Sequence, residues 1–196
     1  MNHEKVFGIG ISKTGTTSLG WCLKKLGYQH TGVNEDLTRS LMSNNWEPIL
    51  QVVERYNAFE DFPWPLIYQE MDIKYPGSKF ILTTRISSEV WFKSLLKHAE
   101  RTGPTEHRKL VYGYEMPHKF KQEHISFYEQ HNQTAREYFK KRKHDFLEVC
   151  WEKGDAWEKI CTFLGQDIPL IPFPWANKAP SRWQRLKSRI KDNFFL

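Results

Sequence analysis

The chain is predicted to fold as a single α/β domain in three layers, a mostly parallel sheet flanked by helices. Two features predict this. A short buried strand, Val6–Ile11, runs through a polar, glycine-containing turn into an amphipathic helix. The same order recurs later, where the strand Lys79–Thr84 leads into a second helix. The size agrees: 196 residues, 39% of them apolar and 15% aromatic, enclose one sizeable core and exclude disorder as the main state.

Taken in order, the first helix follows the turn Ser12–Thr17, with Leu19, Cys22, Leu23 and Leu26 at helical spacing and Gly27 closing it. Leu37–Met42 and Trp46–Tyr56 read as helices. Asn57-Ala58-Phe59 reads as a short strand ending in Glu60-Asp61. Pro63 and Pro65 lead into a helix that stops before the Pro76-Gly77 turn. The Lys79–Thr84 strand ends at Arg85, and a helix runs from about Ser88 to Arg101. Thr102–Lys119, with two Pro, two Gly and little periodicity, is predicted as a loop or lid. Phe120, His124, Phe127, His131, Ala135 and Tyr138 mark a long helix, and Phe146–Cys150 is the last strand. Trp157, Ile160, Cys161 and Leu164 place the final core helix, stopped by Gly165. Proline-rich extended chain from Ile168 to Trp175 follows.

The net charge of +6 points to an anionic partner, but it is unevenly spread. Residues 177–196 hold six basic residues, Lys178 and Arg182 among them, and a single acid, Asp192. The predicted organisation is therefore a nearly neutral domain, residues 1–176, with a basic tail, 177–196, that packs on or closes over it. Trp183, Leu186, Ile190 and Phe194 would give that tail an amphipathic face able to meet a membrane surface. Cys22, Cys150 and Cys161 lack metal-ligand spacing and read as reduced core residues, which together with the lack of a long apolar run predicts a soluble, cytoplasmic protein. No basic–aromatic platform or recognised module suggests nucleic acid.

The segment Gly10-Ile-Ser12-Lys13-Thr14-Gly15-Thr16-Thr17-Ser18-Leu19 carries the strongest signal. A loop between a buried strand and a helix N-terminus gathers backbone N–H groups and the positive end of the helix dipole, and so binds anionic oxygens. Gly15 allows close approach, and Thr16 and Thr17 add hydroxyls. Thr16 stands where a nucleotide-triphosphate loop has its lysine, and the only lysine, Lys13, lies inside the loop. A plain strand–helix turn needs neither that lysine nor two threonines.

Lys13-Thr14-Gly15-Thr16-Thr17 resembles the 5′-phosphosulfate loop of the sulfotransferases, and the closest likeness is to the bacterial-type, P-loop-containing family. The likeness extends over Phe80–Ser94 and more loosely over Phe163–Asn177. It implies a P-loop NTPase-like fold and the donor 3′-phosphoadenosine 5′-phosphosulfate (PAPS), with adenosine 3′,5′-bisphosphate (PAP) as product and no essential metal. It further implies that Ser12, Lys13, Thr14, Gly15, Thr16, Thr17 and Ser18 cradle the 5′-phosphosulfate, while Arg85 and a following serine hold the 3′-phosphate. Ser94 lies one residue beyond the usual spacing, so Ser87 and Ser88 stay in contention. Lys178 is a candidate for a loop closing over the donor.

The transfer itself resembles phosphoryl transfer, so positioning and charge stabilisation dominate and Lys13 would neutralise the leaving phosphate. An acceptor hydroxyl or amine also needs a base. Asp61 and then Glu60, at a strand end, are the first candidates, with His98, His124 and His131 as alternatives. The same carboxylates would suit a divergent P-loop kinase or NTPase using ATP and Mg²⁺, which the displaced lysine disfavours; a non-catalytic nucleotide-binding or membrane-associated protein is the third reading. The sequence leaves the acceptor and the oligomeric state open.

Overall fold

The computed structural model describes residues 4–174, so the proposed basic tail, Lys178 included, lies outside the described residues. The strands are β1 (Val6–Gly8), β2 (His30–Thr31), β3 (Ala58–Glu60), β4 (Lys79–Thr83) and β5 (Phe146–Val149). They form one five-stranded sheet in the order β2-β3-β1-β4-β5, parallel throughout. The helices are α1 (Thr16–Lys25), α2 (Glu35–Met42), α3 (Glu47–Arg55), α4 (Tyr68–Lys74), α5 (Ser88–Thr102), α6 (Glu106–Tyr112), α7 (Lys121–Tyr138) and α8 (Trp157–Leu164). The predicted α/β architecture is the one observed.

Alternation along the short strands sends side chains to two separate cores. On one face Phe7 stacks between Phe59 and Phe80, with ring centroids 4.6 and 5.5 Å away. Leu37 of α2, Ile49 and Val53 of α3, Met71 of α4 and Ala135 of α7 cover these rings. On the other face Val6, Ala58 and Ile81 meet Leu19, Cys22 and Leu23 of α1 and Ile160 and Cys161 of α8. Each fully buried Phe or Leu contributes roughly 1.5–3 kcal/mol. The three cysteines are free and buried.

A third cluster sits beyond the carboxyl ends of the strands, where Ile11, Phe62, Trp91, Leu95, Val111 and Tyr128 pack together. This cluster departs from the sequence expectation. The Thr102–Lys119 region is not a loop throughout, because α6 occupies its middle. Thr105 caps the helix by accepting a bond from Arg108 N, and Gly113 ends it in the left-handed conformation. Seven residues are too few to show a helical period, and these two end signals were the available clue. β2 was also missed: two residues cannot display alternation, and only the pairing of His30 with Ala58 and Thr31 with Phe59 makes them a strand.

Candidate active site

β1 is the middle strand, so the chain leaving it emerges between β3 and β4 at the carboxyl edge of the sheet, where such folds bind ligands. Gly10 passes so close to the end of β4 that a Cβ there would collide with the side chain and carbonyl of Thr83. Thr14 ties the loop down from inside: its hydroxyl donates to Ile11 O at 2.7 Å and lies 2.6 Å from Thr83 Oγ1. Gly15 takes φ 97° as the N-cap of α1. Trp151, just past β5, rests its ring on Gly15 and donates from Nε1 to the Gly15 carbonyl at 3.1 Å. The N–H groups of Thr16 and Thr17 then open the helix with no carbonyl to bond inside it. Thr17 is exposed, whereas Thr14, Thr16 and Ser18 are buried.

Lys13 is held at φ 73°, a left-handed conformation that costs a lysine on the order of 1 kcal/mol. A cross-strand bond fixes it: Arg85, at the end of β4, donates from Nη1 to the Lys13 carbonyl at 3.0 Å. Burial, followed by the positive charges of Arg101 and Arg85, lowers the Lys13 pKa, and Asp61 opposes them. Its ammonium makes no ion pair among the described residues. The lysine is thus half-buried, positioned through its backbone, and uncommitted at its tip.

Arg85 is itself engaged. Its Nη2 donates to Glu152 Oε1 at 2.7 Å, and Ile86 N donates to the other oxygen of the same carboxylate at 2.9 Å. The Arg85 amide is anchored on Tyr128 Oη, whose ring stacks on Trp91, which in turn donates from Nε1 to Ser12 O at 2.9 Å. Tyr128 and Trp91 therefore fix the β1 loop and the β4 terminus together. Of the three candidate serines, Ser87 caps α5 by accepting from Val90 N, and Ser88 donates to Glu129. Ser94 lies half-buried on the same stripe of α5 as Trp91 and His98.

The two carboxylates at the end of β3 part company. Asp61 adopts φ 65° and turns its side chain onto the loop. It accepts from Ser12 Oγ at 2.5 Å, from Thr16 Oγ1 at 2.8 Å and from Phe62 N at 2.9 Å. Burial, then the neighbouring Glu60 charge, raises its pKa, and these three bonds pull the other way. Glu60 shares the Ala58 side of the sheet and points beneath α1, where its carboxylate lies 3.6 Å from His30 Nε2. Gly20 and Gly32 leave the space for this pair. Glu60 is thus not brought to the loop with Asp61.

Among the candidate histidines, His124 donates from Nδ1 to Phe120 O at 2.6 Å and His131 from Nε2 to Ile9 O at 2.7 Å. Both are tied to backbone carbonyls in packed surroundings. His98 lies within reach of the charges of Lys13, Arg101, Arg108 and Asp61. His107, which the sequence reading passed over, stands nearby on α6, with Nε2 3.3 Å from Thr38 Oγ1 and its ring edge-on to Phe62. Its neighbour Tyr112 buries a hydroxyl with no hydrogen-bond partner among the described residues and feels the charge of Asp61. Neither was accessible without knowing that α6 exists. A separate groove at the opposite edge of the sheet, lined by Lys5, Glu54 and Tyr75, shares no residue with this cluster.

A parallel sheet with a strand–loop–helix crossing at its centre, and basic side chains at two neighbouring strand ends, defines a P-loop-like α/β protein. A family model described as a sulfotransferase domain matches residues 5–182, and the chain belongs to that family. A search of curated proteins finds no match. Membership assigns the domain to sulfuryl transfer in general.

Proposed function

We propose that this chain transfers a sulfuryl group from PAPS to a hydroxyl or amine of a small acceptor, releasing PAP. One observation carries the reading: the Lys13 ammonium, unpaired among the described residues, and the forked Arg85 guanidinium stand at the carboxyl ends of adjacent parallel strands, joined by the bond from Arg85 to the Lys13 carbonyl. Two separated cationic positions on one sheet edge suit a nucleotide carrying anionic groups on both its 5′ and 3′ oxygens better than a linear triphosphate.

In this reading the first-turn N–H groups of α1, with Lys13, Thr16, Thr17 and Ser18, receive the 5′-phosphosulfate. Arg85 and Ser94 receive the 3′-phosphate. Ser94 is preferred because Ser87 and Ser88 already spend their hydroxyls within the protein. The donor supplies an activated sulfuryl group; the chain supplies position and charge. Lys13 neutralises the negative charge that grows on the departing phosphate. Asp61 acts as a positioning residue, since all three of its bonds run to the loop or its own turn. Lys178 stays a proposed donor contact from the basic tail. The three free, buried cysteines support a reducing compartment, and the cytoplasm is the proposed location.

Calorimetric titration with PAP and with ATP plus Mg²⁺ tests the assignment. PAP is expected to bind without added metal and to outcompete ATP, and labelled PAPS should pass its sulfuryl group to a member of an alcohol, phenol and amine screen. Preference for ATP with Mg²⁺ would refute it in favour of a kinase or NTPase.

A further inference from the structure

We infer that His98 is the general base of this site, taking the proton from the acceptor's attacking oxygen or nitrogen. The inference deepens the sulfuryl-transfer reading and rests on it. Its ground is the docking of α5. Trp91 fixes this helix to the loop through the bond to Ser12 O, and Ser94, His98 and Arg101 follow Trp91 along one stripe. The bond therefore docks that stripe beside residue 12, next to Lys13 in the chain, and the charge of Lys13 reaches His98 as that of Arg101 reaches Lys13.

The other candidates are committed. Asp61 accepts two bonds that hold the loop and a third from its own turn. Glu60 is buried on the far side with His30. His124 and His131 donate to carbonyls, and His107 is engaged by Thr38. The His98 ring has no hydrogen bond or ion pair among the described residues and is half-buried. Burial and the cations facing it, Lys13 from the loop, Arg101 from its own helix and Arg108 from α6, lower its pKa against the opposing charge of Asp61 at the end of β3. The ring is therefore neutral and able to accept a proton at neutral pH.

The step balances simply. The acceptor O–H bond breaks as its oxygen bonds to sulfur, and the proton passes to the unprotonated ring nitrogen of His98. The bond from sulfur to the 5′-phosphate oxygen breaks, and its electron pair stays on that oxygen beside Lys13.

The test compares wild type with His98→Gln, using labelled PAPS and two acceptors, water and 4-nitrophenol at pH 8, where the phenol is already ionised and needs no base. PAP affinity measured by calorimetry should be unchanged in the variant. Sulfate release to water should fall at least ~100-fold, while transfer to 4-nitrophenolate falls less than about threefold. The wild-type rate with water should also lose a limb as pH falls through the lowered histidine pKa, and the variant should lack that limb. Equal losses with both acceptors, or a rate with water within about threefold of wild type, would overturn the role of His98 while leaving the donor site standing. So would a wild type that binds PAP but turns over neither acceptor. Absence of PAP binding by the wild type would remove the parent reading and this inference together.

Discussion

Glu152 occupies the donors that the proposed 3′-phosphate would use, and Glu152→Gln measures the competition. The substitution keeps an oxygen for Ile86 N and nearly the same shape, but removes the charge facing Arg85. A hydrogen bond to a charged group contributes about 1.5–3 kcal/mol when well buried. Here the side chains are 22% and 32% exposed, so screening reduces the pair to about 1 kcal/mol. Freeing Arg85 should therefore tighten PAP binding about fivefold. Stability in urea should fall by no more than about the same 1 kcal/mol. The pH dependence has a defined sign. Arg85 holds the Glu152 pKa below the usual carboxylate value, so the pair's stabilisation is complete above that usual value and disappears as pH falls through the lowered one. The wild-type and variant stabilities should converge in acid. Calorimetry at pH 7 with PAP provides the assay. PAP binding that is unchanged or weaker in a folded variant would show that Glu152 and the nucleotide do not compete for Arg85.

Other expectations follow from the same geometry. Lys13→Ala should reduce transfer about 10²–10³-fold while leaving the urea midpoint within error, because the ammonium has no partner among the described residues to lose; retained turnover would remove Lys13 from the mechanism. Gly15→Ala, which sets a Cβ against Trp151 at a positive φ, should cost on the order of 1–3 kcal/mol and abolish PAP binding, and a stable, PAP-binding variant would contradict the packing. Asp61→Asn should raise the PAP dissociation constant more than it lowers the rate at saturation, as expected if the carboxylate orders Ser12 and Thr16; the reverse split would restore it as a proton acceptor. Burial pushes the Cys22 thiol up to about 12 and raises Cys150 and Cys161 as well, so a thiol reagent at pH 8 should label none of them until the chain unfolds.

The parts of this fold that could be read in the sequence were those where local pattern and tertiary role coincide. Phe80-Ile81-Leu82 is apolar because β4 is covered on both faces, and Ser87 marks the start of α5 because it caps it. The loop was legible because Gly10 and Gly15 meet Thr83 and Trp151 at distances that admit no Cβ. The roles of Glu60 and Asp61 were not legible. Adjacent residues at a strand end look equivalent in a string of letters, and the left-handed turn at Asp61 decides which one reaches the loop. His98 was similarly ambiguous: its spacing shows the face it occupies on α5, but only the bond from Trp91 to Ser12 O shows that this face docks beside the loop.

The contacts that shape the phosphate loop also set when it can exist during synthesis. Its residues leave the ribosome before their partners do: Thr14 leans on a threonine 69 positions later and Gly15 on a tryptophan 136 positions later. β1 gains its neighbours only when β3 and β4 have been made, and such distant parallel pairings form slowly. A segment made before its partners is consequently among the last to acquire its working shape. A nascent chain halted before Trp151 would own every residue of the loop and still lack the ring that seats it, so the proposed nucleotide binding would report on completed folding.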